Sequence, residues 1–326
     1  MPDTRPVILT GAPKEKPVYA EANGLKWYHV KAVTVEELDF VGKLCQVNPF
    51  DLADCISQKQ LPTVVVRGDY LFAIIHFPRF VPEKQTVVPQ QVGVIIGTTF
   101  MVTVSQAEVK PVDRLFQRCL TESLVRRQVM DGGTGEVLYR VLDKMVDYLF
   151  PMLDKVLEAM ESIEDDVFDE RVSVARSVSI LRRDITDLRR ILFPMQRLVT
   201  DLRAKTKKYC RVDMDLHYED LYDRVATVWT TLESAKERVD IYKDTDYVIS
   251  TEKTNKILSM LTIIFTLSIP VTVVGALMGM NVLVPGGVET GPWMFLGDYT
   301  TFVLMILISL IPAGLMLLLF KWWRWI

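Results

Sequence analysis

The hydroxyl-bearing residues Thr262, Thr266, Ser268 and Thr272 recur along an apolar run from Ile257 to Met280 in which no residue is charged. In a hydrocarbon setting such hydroxyls can meet a polar partner, on a neighbouring helix or an ion, or bond back to their own helix. Gly275 and Gly279 in the same run form G-x-x-x-G, which permits close helix approach. Pro270 sits mid-run, where it can kink a helix. The residue sets that would support catalysis are not found. The chain has no P-loop, no G-x-S-x-G and no H-E-x-x-H. His29, His76 and His217 are scattered, and none pairs with Cys at metal-ligand spacing. Cys45, Cys55, Cys119 and Cys210 form no Cys-x-x-Cys and read as idle thiols in a reducing compartment. No enzyme activity and no organic cofactor are expected.

The elements that carry these residues follow from length and charge. A membrane-spanning helix needs about 20 apolar residues. Residues 257–280 satisfy this, and so do residues 299–320, with a loop at 281–298 between them. Two helices cannot enclose a water-filled path, so either several chains gather or the spans are anchors. The polar first span reads as a packed helix. The second, rich in Leu, Ile and Met, reads as its outer, lipid-facing partner. Lys253 and Lys256 precede the first span, and Lys321 and Arg324 follow the second. The loop has no Lys or Arg and two acids, Glu289 and Asp298. The positive-inside rule then predicts both termini in the cytosol, the expected membrane being the inner (plasma) membrane, with Trp322, Trp323 and Trp325 at the inner interface. Met1-Pro2-Asp3-Thr4-Arg5 lacks an apolar core and predicts no cleavable signal. The net charge of −3 argues against a nucleic-acid surface.

The remainder reads as an α+β chain: an α/β/α domain, a long helical stalk and two C-terminal transmembrane helices. Residues 1–26 read as a lead-in, and Trp27 to Val33 as a strand. Thr34-Val35-Glu36-Glu37 is a capping box, and Asn48-Pro49 opens a second helix. Thr63 to Val66 and Tyr70 to Phe77 flank a turn at Gly68-Asp69, while Gln91 to Ile96 and Phe100 to Val104 flank Gly97-Thr98-Thr99. Gly132-Gly133-Thr134-Gly135 ends this domain, 1–135. Helical periodicity then predicts helices over 136–171 and 174–207, and a third from about Asp213 that enters the membrane. Residues 136–256 form the stalk, 257–280 the first span, 281–298 the loop, 299–320 the second span and 321–326 the tail. Glu161, Glu164, Asp165, Asp166, Asp169 and Glu170 form an acidic face, either solvated or cation-collecting.

Gly279-Met280-Asn281 at the end of a first span, followed by a short loop, a second span and a short basic tail, resembles the CorA family of divalent-cation transporters. Lys253-Thr254-Asn255 is similar to the family's approach to the first span. Asp220-Leu221-Tyr222-Asp223-Arg224 is similar to a stretch of its stalk, and Leu188-Arg189-Arg190 with Pro194-Met195 to the preceding helix. Asn48-Pro49 with Leu52-Ala53-Asp54, and Gly68-Asp69-Tyr70-Leu71-Phe72, fit its soluble domain. The resemblance implies a homopentameric funnel in membrane lipid, with divalent cations, Mg²⁺ first, as substrate and possible regulator.

Gly279, Met280 and Asn281 would then form the selectivity filter. A ring of neutral amides can hold a hydrated Mg²⁺ without stripping its water. Leu258, Leu261, Phe265, Ile269, Thr272 and Ala276, at intervals of three and four, would line the pore. Phe265 is bulky for that stripe. A small rotation instead turns Ser268 and Leu261 inward and packs Phe265 between chains. Asp220 would hold a regulatory metal in the stalk, with Asp51 and Asp54 as candidate partners. Glu289 and Asp298 would form an external acidic rim; Lys253, Lys256, Lys321 and Arg324 would form an inner basic ring. Val282-Leu283-Val284-Pro285-Gly286-Gly287 departs from the common loop and is closer to the ZntB-like branch, so Zn²⁺ or another transition metal is the alternative cargo. A non-conducting sensor or scaffold is the rival class.

Overall fold

A computed structural model describes residues 18–31, 35–57, 60–81, 86–169, 171–280, 290–295, 297 and 299–323. Six strands form one mixed sheet: β1 (Tyr19–Ala22), β2 (Leu25–Lys31), β3 (Thr63–Arg67), β4 (Tyr70–Val81), β5 (Thr86–Ile96) and β6 (Phe100–Ser105). Their order is β1-β2-β6-β5-β4-β3, antiparallel except for the β2–β6 pair. Side chains alternate across the sheet, as the two-residue strand period requires. Trp27, Leu71, Ala73, Ile75, Val92, Val94 and Met101 enter one core. Tyr28, Val30, Phe72, Ile74, Ile95, Val102 and Val104 enter the other.

Helices α1 (Val35–Cys45) and α2 (Pro49–Ile56) cover the second face through Leu38, Val41, Leu52 and Cys55. Helix α2 starts as its sequence dictates. The Asn48 side chain accepts from Phe50 N–H at 2.9 Å, and Pro49 occupies the first turn. Gly93 lets this helix lie down on β5, because a Cβ there would run into the Cys55 thiol. The first face is covered by α3 (Lys110–Thr121), α4 (Ser123–Met130), α5 (Thr134–Asp147) and part of α7 (Ala175–Lys205). The result is the α/β/α layering.

The first core continues away from the sheet. Helix α6 (Leu149–Val167) contributes Leu153, Val156, Met160 and Ile163, and α7 contributes Leu181, Ile185, Leu188 and Leu192. The first half of α8 (Asp215–Met278) adds Tyr218, Leu221, Val225, Val228 and Leu232. These positions recur every three or four residues, so each helix buries one stripe. Truncating a residue such as Leu188 to Ala would cost about 2–5 kcal/mol.

Three expectations need correction. Residues 19–22 lie in the expected lead-in but form β1, because Asn23 (φ 52°) and Gly24 (φ 74°) make a left-handed two-residue turn into β2. The helix expected over 136–171 is broken at Tyr148 into α5 and α6. Pro151 cannot donate to the carbonyl of Asp147, and its ring crowds that carbonyl, so the helix restarts. Strand β5 begins at Thr86, with Pro89 opposite Pro78 in the arm it forms with β4.

The chain divides into two compact units, 1–243 and 244–326. Helix α8 is continuous from one into the other. It and α9 (Thr300–Trp322) are the two helices, among the described residues, long and apolar enough to cross a membrane.

Candidate ion pathway

The second unit has two kinds of helix face. On α8, Ser259, Ile263, Thr266, Pro270, Val274 and Met278 are partly or fully covered. They are spaced by four, three, four, four and four, which is one stripe. On α9 the covered stripe is Thr301, Met305, Ser309, Ala313, Met316 and Phe320, with Ser309 and Ala313 buried. Small residues there allow close packing.

The six residues expected to line a pore lie on the opposite side of α8. Leu258, Leu261, Phe265, Ile269, Thr272 and Ala276 are all exposed, and Phe265 most of the four large apolar ones, at 64%. At about 100° per residue, this stripe is centred roughly half a turn from the covered one. The G-x-x-x-G does not make the packing within one chain, since a Cβ on Gly275 would meet nothing. Thr262, Ser268 and Thr272 donate to the carbonyls of Leu258, Ile264 and Ser268 at 2.8–2.9 Å. Their oxygens keep free lone pairs and face outward as acceptors.

The helix ends at Met278, and Gly279 N–H still bonds to Gly275 O at 3.1 Å. Gly279 and Met280 are exposed beyond that end. Asn281, Glu289, Asp298 and Arg324 lie outside the described residues. Lys253 and Lys256 are exposed before the apolar run, and Lys321 near the end of α9.

In the first unit, the Asp220 side chain is 65% exposed and its Oδ2 lies 3.8 Å from Arg224 Nη1. Arg224 also reaches Asp143 at 2.6 Å and grips Asp147, both on α5. Lys144 lies 2.7 Å from Asp147 and 3.3 Å from Asp143. The half-buried guanidinium therefore serves three carboxylates, which more than offset its desolvation and raise its pKa. Sequence reasoning missed Asp143 and Asp147; the only signal was their four-residue spacing on α5. Among the described residues no group of three or more His, Cys, Asp or Glu is placed to hold a metal ion. The two candidate partners of Asp220 are engaged elsewhere. Asp51 is buried and accepts from Tyr70 O–H at 2.6 Å, while Asp54 accepts from Gln60 at 2.7 Å.

The histidines and cysteines are structural. His29 bridges Thr103 (2.8 Å) and Asp113 (2.6 Å) inside the sandwich. Burial lowers the pKa of His76, and His217 packs edge-on against Tyr139. Burial pushes Cys45, Cys119 and Cys210 up to about 11 and Cys55 to about 12, so all four stay protonated and inert at neutral pH.

Residues 22–321, from the sheet to the last apolar helix, match the sequence model of a family described as CorA-like Mg²⁺ transporter protein. The chain belongs to that family. Its members are ion transporters, and the two-span membrane architecture found here is the family's. The cobalt/magnesium transport protein CorA of Thermotoga maritima is 24% identical over 260 residues, spanning 78% of this chain and 72% of that one. The zinc transport protein ZntB of Pectobacterium carotovorum is 21% identical over 175 residues, 54% of this chain and 52% of its own length. The solved CorA magnesium transporter of Methanocaldococcus jannaschii has the same fold, with a TM-score of 0.75 at 20% identity, covering 96% of this chain and 95% of that one. CorA-like transport of divalent cations fits both the magnesium and the zinc relatives.

Proposed function

We propose that this CorA-like protein is a homopentameric channel of the inner (plasma) membrane. It moves divalent metal cations, Mg²⁺ first, down their electrochemical gradient. The observation that carries this reading is the exposed stripe from Leu258 to Ala276 on the side of α8 that its own chain leaves uncovered. Five such faces can surround a path that two helices cannot enclose. Gly279, Met280 and Asn281 form the outer mouth, with Glu289 and Asp298 attracting cations to it. Both termini are cytosolic, and Lys253, Lys256, Lys321 and Arg324 ring the inner exit. Entry of a divalent ion is driven by about 2.3 kcal/mol per charge per 100 mV. Mg²⁺ at Asp220, between subunits, regulates the stalk.

The exposed phenyl of Phe265 favours one second reading. Five such rings can exclude water and hold the path shut, which would make the protein a non-conducting sensor. The Pro285-Gly286-Gly287 loop favours Zn²⁺ or another transition metal as an alternative cargo. Purified protein in liposomes, offered Mg²⁺, Co²⁺, Ni²⁺ and Zn²⁺ in turn, tests all of these. Uptake of Mg²⁺ that Asn281→Ala abolishes with the pentamer intact is the expected result. Uptake by the variant equal to wild type would remove Asn281 as the filter, and no uptake of any ion would leave the sensor.

A further inference from the structure

Helix α7 carries Arg190, Pro194, Arg197, Asp201 and Lys205 at spacings of three and four, which places all five on one face. That face is not the one buried in the core. It fronts the free edge of the sheet, where β3 is the last strand. Between the helix and Thr63, Val64, His76 and Pro89 of the sheet lies a cleft of about 1000 Å³. Sites for small molecules run to about 300–1000 Å³.

The charge of the cleft is unbalanced, with Arg190, Arg197 and Lys205 against Asp201. Lys205 Nζ is committed, donating to Val64 O at 2.8 Å and lying 3.5 Å from Asp201. Arg190 reaches back to Asp187 at 3.2 Å. Arg197 is exposed and has no carboxylate partner among the described residues. Burial lowers the pKa of His76 and so disfavours its charged form.

An apolar surface sits between the two arginines. Phe193 is 71% exposed, yet its ring is braced against Trp229 at 5.6 Å between centroids. Arg189 lies over that indole at 5.4 Å and pairs with Glu233, so the brace is itself held. Pro194 has no N–H to give to the carbonyl of Arg190, which leaves that oxygen without its usual helical donor. Within about two turns of helix the cleft thus offers a braced aromatic face, an under-used acceptor and two guanidinium groups.

We propose that this cleft binds a nucleoside polyphosphate, with the phosphates at Arg190 and Arg197 and the base against Phe193. Guanidinium forks match phosphate oxygens bidentately, and every nucleobase has a π-face that stacks on an aromatic ring. A bare phosphate would use the arginines and leave Phe193 in water. A fatty acid would use Phe193 and one cation only.

The test is equilibrium dialysis of the full-length protein in detergent micelles at fixed free Mg²⁺. One arm contains ATP and another inorganic tripolyphosphate. The expected result is saturable binding of one ATP per chain, tighter than tripolyphosphate. Arg197→Glu weakens both ligands by roughly ten-fold or more. Phe193→Ala weakens ATP and leaves tripolyphosphate unchanged. A thermal melt of each variant shows that both remain folded, as expected for exposed side chains. No saturable ATP binding at millimolar concentration overturns the proposal. So does equal binding of ATP and tripolyphosphate with Phe193→Ala neutral, which would mean diffuse attraction of anions. Retained ATP affinity in Arg197→Glu overturns it as well. Dialysis reads binding without ion flux, so these outcomes stand whether or not the protein conducts.

Discussion

Arg224 Nη1 lies 2.6 Å from Asp143 Oδ1, joining the long helix that enters the membrane to the helix that seals the sheet. The Arg224 side chain is 23% exposed and that of Asp143 16%, so the pair is held largely away from water. Arg224→Ala leaves Asp143 with Lys144 at 3.3 Å as its remaining cation. The expected loss is about 1–3 kcal/mol of stability, read as a lower urea midpoint for the full-length protein. A midpoint within error of wild type would mean that Lys144 alone satisfies Asp143.

Phe265→Ala removes five phenyl rings from the stripe in the proposed pentamer. Because Phe265 is on the uncovered face of α8, the expected effect is a rise in basal divalent flux in liposomes. Unchanged flux with weaker thermal association of the oligomer would place the ring between chains instead. Truncation would then cost about 3–5 kcal/mol per site.

Asp113 gives stability a signed dependence on pH. Burial alone would raise its carboxyl, but hydrogen bonds from His29 and Lys31 outweigh burial and hold it below the ordinary range. A depressed acid stabilises the fold fully above its unfolded value, about 3.9, and loses that contribution as pH falls through the lower folded value. Asp113→Asn is therefore expected to cost about 1–3 kcal/mol at pH 7, with the gap from wild type narrowing below about pH 4. Urea unfolding at pH 7 and pH 3, followed by tryptophan fluorescence, measures it. The same gap at both values would show that the carboxylate charge is not what matters.

At Asp220, Mg²⁺ at millimolar concentration is expected to slow proteolysis of the stalk, since a ligand bound to one state stabilises it. Asp220→Ala should abolish the protection. Equal digestion of wild type in Mg²⁺ and in EDTA would leave Asp220 as a solvated partner of Arg224.

Local and periodic features could be read from the chain alone. Two uncharged runs of spanning length, the Asn48-Pro49 helix start, the Gly68-Asp69 turn and the strand alternation each depend on a few neighbouring residues, and the fold follows from them. The Asn23-Gly24 turn was equally local; the proline-rich stretch before it masked the short strand it joins. Pro151 was visible too, but whether a proline bends a helix or breaks it depends on what packs there. Pro194 and Pro270 stay inside continuous helices, whereas α5 gives way to α6 at Tyr148. Tertiary structure alone decided which face of α8 its own chain covers, because the hydroxyls of Ser259, Thr262, Thr266, Ser268 and Thr272 are spread around the helix and mark no single side. It also brought Asp143 and Asp147 to Arg224 across some 80 residues of chain, a distance no spacing rule spans. Finally, it set the arginine column of α7 against the edge of β3, turning a solvated helix face into one wall of a cleft.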